Sequence, residues 1–213
     1  MGLDEPTLRA ACVPRRYRPG EIVFHEGDSG GALHLIERGR VAVRLTTPAG
    51  DVATLDVLQA GDTFGEQALV DGIGERTATV TALGPVATMS LGRARFDELR
   101  TQHPGLDRFL ASVLAVRLQA TSRQLLDALF LPADVRVARC VARLHTMFAT
   151  DGSDSVPFTQ SEIASMAGVT RSTANRVLNR ARTQGVLRVG RASLEVLDVE
   201  RLRRDAGLAV SSR

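Results

Sequence analysis

The residues of this sequence best suited to chemistry lie between Phe64 and Val80, where the chain reads FGEQALVDGIGERTATV. Gly65 permits a close backbone approach, and a short helix starting there, through Glu66, Gln67 and Ala68, would aim unpaired N–H groups at an anion. Arg76 offers a fork that neutralises a phosphate bidentately, and Thr77 adds a hydroxyl donor. Glu66, which only accepts when ionised, is unsuited to phosphate and suits a ribose hydroxyl. One carboxylate for a sugar and one guanidinium for a phosphate describe a nucleotide pocket.

A second cluster lies nearer the end of the chain. Thr159-Gln160-Ser161-Glu162 fits a capping box, in which hydroxyl and carboxylate satisfy each other's orphan amides, so a helix is predicted from about Gln160. Ile163, Ala164 and Ala167 give it a small apolar face, Gly168 stands where a tight turn is needed, and Thr170 caps a second helix. On that second helix Ala174, Val177, Leu178 and Ala181 point one way, while Arg171, Ser172, Asn175, Arg176 and Asn179 point the other. Arg reads guanine and Asn reads adenine from the major groove, and Ser is small and permissive. The pattern is a helix-turn-helix whose DNA-facing set is Thr159, Gln160, Arg171, Ser172, Thr173, Asn175 and Arg176. Arg180, Arg182, Arg188 and Arg191 are better placed to clamp phosphates. The competing reading is an ordinary helix with a charged solvent face; the caps, the Gly turn and a following β-hairpin together weigh against it.

The flanking segments supply the elements that would hold these clusters. Of the 19 glycines, 12 fall between Gly20 and Gly92, among β-rich runs such as Ala32–Ile36, Val41–Leu45, Val52–Leu58 and Thr77–Leu83. Short strands at that spacing imply an antiparallel sandwich or barrel. Between Leu106 and Phe130 there is neither Gly nor Pro, which predicts a long helix. Ala111, Leu114, Leu118, Thr121, Leu125 and Ala128 advance by alternating steps of three and four, a seam fit for pairing with a second copy. The alternative is a helix packed on its own domain. Pro132 disfavours helix at Leu131 and marks a hinge, with Asp134 available as an N-cap. Two β-runs within residues 185–197 surround a Gly-containing turn and read as a hairpin wing.

Composition agrees with this division. With 213 residues, 44% hydrophobic and 24% charged, the chain can bury a core without metal or disulfide staples. All 27 basic residues are Arg, which a coding bias suffices to explain. Their distribution says more: residues 1–130 hold 14 Arg against 16 acids, residues 131–213 hold 13 against 8, and from Ile163 to Leu194 there are six Arg and no acid. A basic back half suggests a polyanionic partner. Cys12 and Cys140 have neither metal nor disulfide spacing, and no metal site is expected. No apolar run approaches the roughly 18 to 20 residues of a membrane span, and MGLDEPTLRA lacks a signal core, so a soluble cytoplasmic protein without a membrane partner is expected. Neither a Ser/His/Asp nor a metal-ligand spacing stands beyond the β-region, so no catalytic residues are expected and the chain is not read as an enzyme.

The segment FGEQAL followed by RTA closely resembles the phosphate-binding cassette of cyclic-nucleotide-binding domains, and the whole chain resembles the cAMP receptor branch of the CRP/FNR transcription regulators. That resemblance implies an α+β architecture. A β-roll would span 1–103, a dimerisation helix and hinge 104–131, and a winged helix-turn-helix 132–213. It implies a ribose contact for Glu66, a cyclic-phosphate contact for Arg76 and Thr77, and a homodimer on a pseudo-palindromic operator in double-stranded DNA. Arg117-Leu118-Gln119-Ala120-Thr121-Ser122 matches the cAMP receptor's R-L-Q-V-T-S, which implies adenine contacts for Thr121 and, across the dimer, Ser122, with cAMP as an allosteric effector and no cofactor. Thr121 is unusual in a Leu-rich seam because a buried hydroxyl wants a partner; a base would supply one, and so would a bond back to its own helix.

Departures from the family pattern bear on specificity. Ser172 stands where the family often has Glu, which removes an acceptor for cytosine. Val13 and Arg15 replace histidines at positions that contact RNA polymerase elsewhere in the family, leaving polymerase as a further partner without its usual contacts. An iron–sulfur sensor needs about four cysteines. His25, His34, His103 and His145 lie outside the cassette and the seam, and read as surface or hydrogen-bonded residues in preference to haem ligands. The alternative reading keeps DNA binding and gives the cassette another effector, such as cGMP, or none.

Overall fold

The computed structural model describes residues 9–46, 50, 52–69, 74–103, 105–149 and 154–208. The chain divides into two compact units, Met1–Thr121 and Ser122–Arg213.

The first unit is built from β1 (Val13–Tyr17), β2 (Ile22–Phe24), β3 (Ala32–Arg38), β4 (Arg40–Thr46), β5 (Val52–Gln59), β6 (Thr63–Phe64), β7 (Thr79–Ala82) and β8 (Val86–Gly92). They form two antiparallel four-stranded sheets, ordered β1-β8-β3-β6 and β2-β7-β4-β5. The expected sandwich is therefore present. Its core comes from both inner faces: Ile36, Phe64 and Val86 from one sheet meet Val41, Val43, Leu58, Val80 and Ala82 from the other. Gly39 turns the chain from the first sheet to the second with φ +89°, and a Cβ there would lie 2.3 Å from the Pro85 carbonyl oxygen. No other residue fits that corner.

The outer side of the first sheet is covered by helix α1 (Arg93–Gln102), through Phe96 and Leu99, and by Leu106 at the start of helix α2 (Gly105–Phe130). Leu33 and Leu91 face them, so β3 and β8 bury both faces. Helix α2 confirms the uninterrupted run expected from the sequence. Leu106 is its one buried residue, and along it Leu118, Leu125 and Leu129 are 68%, 58% and 66% exposed. The single chain thus leaves most of the seam uncovered.

The second unit contains α3 (Ala133–Ala149), β9 (Ser155–Val156), α4 (Gln160–Met166), α5 (Arg171–Thr183), β10 (Leu187–Val189), β11 (Leu194–Val196) and α6 (Val199–Asp205). Val137, Val141 and Leu144 of α3 are buried, as are Ile163, Leu178, Leu187, Leu194 and Leu202, and Phe148 packs edge-on against Phe158. The wing hairpin pairs where expected and gains a third strand, because β9 pairs with β11. Helix α3 starts at Ala133, one residue before Asp134, which therefore lies in the first turn instead of at the N-cap. Its Oδ1 accepts from the Val135 amide, and its charge still favours the positive end of the helix.

Two further differences have plain causes. The run expected from Thr77 becomes a strand only at Thr79, because the Arg76 backbone pairs instead with Gly27 and Asp28 and the Thr77 hydroxyl turns to Gln67. Strand β8 escaped the hydrophobic pattern because two of its buried positions are Thr88 and Ser90. Thr88 Oγ1 lies 3.3 Å from Nδ1 of His34, a ring buried between the sheets and stacked on Phe64 at 4.9 Å.

Burial, followed by the positive charges of Arg76 and Arg15, holds the His34 pKa down at about 4, against an ordinary 6.5. The unfolded chain then takes up a proton between these values that the native protein refuses, so stability falls as pH drops through that window. The loss attributable to this ring reaches about 3 kcal/mol at its lower end. Urea denaturation of wild type and His34→Phe between pH 7 and pH 4 should show the steeper loss in wild type. Parallel losses would contradict a buried neutral imidazole.

Candidate functional site

In the first unit the cassette residues converge on one pocket, lined by Phe24, Phe64, Gly65, Glu66, Arg76 and Arg117 among others. Gly65 adopts φ +80°, and a Cβ there would fall 2.5 Å from Arg76 Nη1 and 2.7 Å from the Ala32 carbonyl oxygen. The glycine is thus required both by conformation and by the approach of the guanidinium. A 3-10 turn, Glu66–Leu69, follows it and contains Gln67 and Ala68. The Glu66 side chain is buried, and its Oε2 has no hydrogen-bond partner among the described residues.

Arg76 is buried as well. Its Nη1 donates to the Ala32 carbonyl at 2.9 Å and to the Gly65 carbonyl at 3.3 Å, its Cζ lies 4.0 Å from the centroid of the Phe24 ring, and its buried Nε finds no partner among the described residues. Burial pulls its pKa below the ordinary value, against the opposing pull of Asp28, Glu66 and Tyr17; an arginine so placed keeps its proton. Thr77 Oγ1 donates to Gln67 Oε1 at 2.6 Å, tying the two ends of the cassette together. The pocket therefore presents a cation with an unpartnered Nε and a carboxylate with an unpartnered Oε2 in one lining. Such a pair suits a ligand with an anionic group and hydroxyl donors.

Gly65, Glu66, Gln67, Arg76 and Thr77 are brought together as the sequence implied. Thr121 is not among the pocket-lining residues. It is exposed on α2, and its Oγ1 donates back to the Arg117 carbonyl at 3.0 Å, the self-satisfied arrangement weighed above. Ser122, in the other unit, is exposed. Sequence reasoning assigned no role to Arg117. This half-buried side chain donates through Nη2 to the Thr63 carbonyl at 3.0 Å and brings Nε to 4.0 Å from Glu66 Oε1. Its signal was its place one turn before Thr121 on a helix bordering the cassette.

In the second unit the turn between α4 and α5 is held by caps at both helix starts. The Thr159 amide donates to Glu162 Oε2 at 2.9 Å and the Glu162 amide donates to Thr159 Oγ1 at 3.2 Å, completing the capping box. Gly168 takes φ +61° in the turn, and Thr170 accepts from the Thr173 amide. Four of the expected DNA-facing residues are thus engaged or recessed: Thr159 in its cap, Ser172 and Thr173 in hydroxyl contacts with Thr170, and Gln160 half-buried. Arg171, Ser172, Asn175 and Arg176 share an exposed face of α5, and Asn179 donates its amide to Asn175. Among the described residues no carboxylate pairs with Arg171, Arg176, Arg180 or Arg182, whereas Arg188 of the wing pairs with Glu195 directly opposite it in the hairpin. Cations without a described carboxylate partner on the exposed face of a helix form a surface for a polyanion, with amide and guanidinium groups able to address base edges.

No group of three or more His, Cys, Asp or Glu side chains among the described residues could hold a metal ion, and no described helix is long and apolar enough to cross a membrane. Residues 14–103 match the cyclic nucleotide-binding domain family and residues 135–205 match the Crp-like helix-turn-helix domain family. The chain is 31% identical over 210 residues to the CRP-like cAMP-activated global transcriptional regulator of Mycobacterium tuberculosis, covering 95% of this chain and 93% of that protein. It is 33% identical over 208 residues to the cyclic AMP receptor protein of Thermus thermophilus, covering 97% and 94%. Among solved structures, the Thermus thermophilus catabolite activator protein aligns with a TM-score of 0.53 at 32% identity over 96% of this chain and 94% of that one. FixK2 from Bradyrhizobium japonicum aligns with a TM-score of 0.73 at 19% identity, over 94% and 99%, a likeness of fold. With its cassette pocket, its capped helix-turn-helix and relatives matched over more than nine-tenths of their length, the chain belongs to the CRP/FNR family of DNA-binding transcription regulators.

Proposed function

We propose that this protein is a cAMP-responsive homodimeric regulator that acts in the cytoplasm and binds a pseudo-palindromic operator in double-stranded DNA. The observation that carries the ligand half is the pocket's pair of buried groups with unpartnered polar atoms, Nε of the Arg76 guanidinium and Oε2 of the Glu66 carboxylate. In this reading Arg76 and Thr77 hold the cyclic phosphate and Glu66 accepts from a ribose hydroxyl, with Gly65 and Gln67 shaping the rim, and the expected contact of the Ala68 side chain lies outside what the structure describes. The names carried by the relatives, a cAMP-activated regulator and a cyclic AMP receptor protein, support cAMP as that ligand. The ligand is an effector and not a substrate, since the pocket is assigned no bond-breaking step.

The uncovered apolar seam of α2 supports the dimer. Paired helices would bury Leu118 and Leu125 and bring Thr121 of one subunit near Ser122 of the partner subunit, where an adenine would meet both hydroxyls. Residues 1–103 then serve as the effector domain, 104–131 as dimer helix and hinge, and 132–213 as the DNA-binding domain. A ligand that binds one of two arrangements more tightly shifts the population toward it. A second reading, DNA binding with another effector such as cGMP or without one, draws on Thr121, whose hydroxyl is already satisfied by its own helix.

Calorimetry should give cAMP binding to wild type and at least about a 30-fold loss for Arg76→Leu, in a variant that still folds. Operator affinity measured with and without cAMP should rise with the ligand; a ratio near one selects the second reading.

For the DNA half, a double Arg171→Ala and Arg176→Ala variant should keep its nucleotide affinity. Each arginine that reads a guanine bidentately is worth about 1–3 kcal/mol of discrimination, so sequence preference should fall at least tenfold. Selection of random duplexes would measure it, and an unchanged preferred sequence would remove α5 from base reading.

A further inference from the structure

Arg76 is held in an uncommon way for a buried cation. Among the described residues its contacts are two carbonyl oxygens on Nη1 and an aromatic face against Cζ, with no carboxylate in ion-pair contact. With Nη1 engaged, the fork left for a ligand is the one formed by Nε and Nη2, and Nε is the buried donor without a partner. A carboxylate in place of the ring would hold the guanidinium equally well but would neutralise it and compete with any anion. An aromatic face solvates the positive charge and leaves it available.

The ring is itself supported. Phe24 ends β2, leans on Phe64 at 5.8 Å and 47°, and touches His34 at 6.2 Å and 44°; Phe64 in turn stacks flat on His34. Three rings thus form a continuous shelf from the intersheet core to the pocket wall. None of them lies in the cassette segment apart from Phe64, and neither Phe24 nor His34 is accounted for by the nucleotide contacts.

We infer that Phe24 is a positioning residue for the phosphate site: its ring carries the face of Arg76 and keeps the Nε and Nη2 fork turned to an anionic ligand without quenching its charge. The inference rests on reading this pocket as a cyclic-nucleotide phosphate site. A shelf acting only by shape would tolerate any flat apolar ring, whereas one acting on the cation depends on the negative face of the ring.

Replacing Phe24 by mono-, di- and trifluorophenylalanine in the full chain preserves size and flatness while withdrawing that negative face. Calorimetry with cAMP should show affinity falling stepwise along the series, by about tenfold at its end. Phe24→Tyr should bind like wild type and Phe24→Leu like the most fluorinated protein, with thermal melts reporting that each is folded. If wild type binds cAMP, Arg76→Leu does not, and the fluorinated proteins bind like wild type, the shelf is overturned while the phosphate assignment stands. If Arg76→Leu binds like wild type, or wild type binds neither cAMP nor cGMP, the phosphate assignment falls and takes the shelf with it.

Discussion

A permanently charged group is buried in the β-sandwich with no described carboxylate in ion-pair contact, Asp28 and Glu66 acting on it only at longer range, and much of the local architecture answers to that constraint. An isolated ion in a low-dielectric setting is costly, and arginine cannot escape by losing its proton. The Arg76 guanidinium must therefore be solvated by what the chain can bring to it: two backbone carbonyls and an aromatic face. Bringing the carbonyls close excludes a side chain at residue 65, so only glycine fits there. Holding Arg76 in place also shortens the neighbouring strand, whose backbone is borrowed by Gly27 and Asp28. The price of burial is thus distributed over several elements, and what remains unspent is one edge of the cation directed at a ligand.

The DNA-binding unit follows the opposite logic. The charges of Arg171 and Arg176 on α5 stay at the surface, where they cost little, and precision comes from capping. Both helix starts in the turn are closed by threonine hydroxyls, and Gly168 supplies the positive φ between them. The turn between α4 and α5 is set by capping hydrogen bonds from Thr159, Glu162 and Thr170, leaving the arginines of α5 without a described carboxylate partner.

What the sequence disclosed tracks how local each signal was. The capping box, the Gly168 turn, the α5 face and the wing are decided within a few residues of themselves, and each stood where its motif lay. The cassette was legible because its glycine, acid and Arg-Thr pair are close in sequence. Strand β8 was hidden because its inward positions include Thr88 and Ser90, hydroxyls whose burial depends on a histidine 54 positions from Thr88. Arg117 and Phe24 were silent for the same reason: an arginine on a helix and a phenylalanine on a short strand have no local mark that ties them to a pocket formed 40 or more residues away. Helix α2 was readable in extent, yet Leu118 and Leu125 of its seam stay exposed among the described residues.

The cross-strand pair of Arg188 and Glu195 gives the wing a property of its own. Ions condensed on a duplex are released in proportion to the phosphates a protein neutralises, at about 0.9 of an ion each. An arginine already paired to its own hairpin displaces fewer of them. By that count Arg188 adds less to the ionic-strength sensitivity of DNA binding than an arginine with no acid beside it.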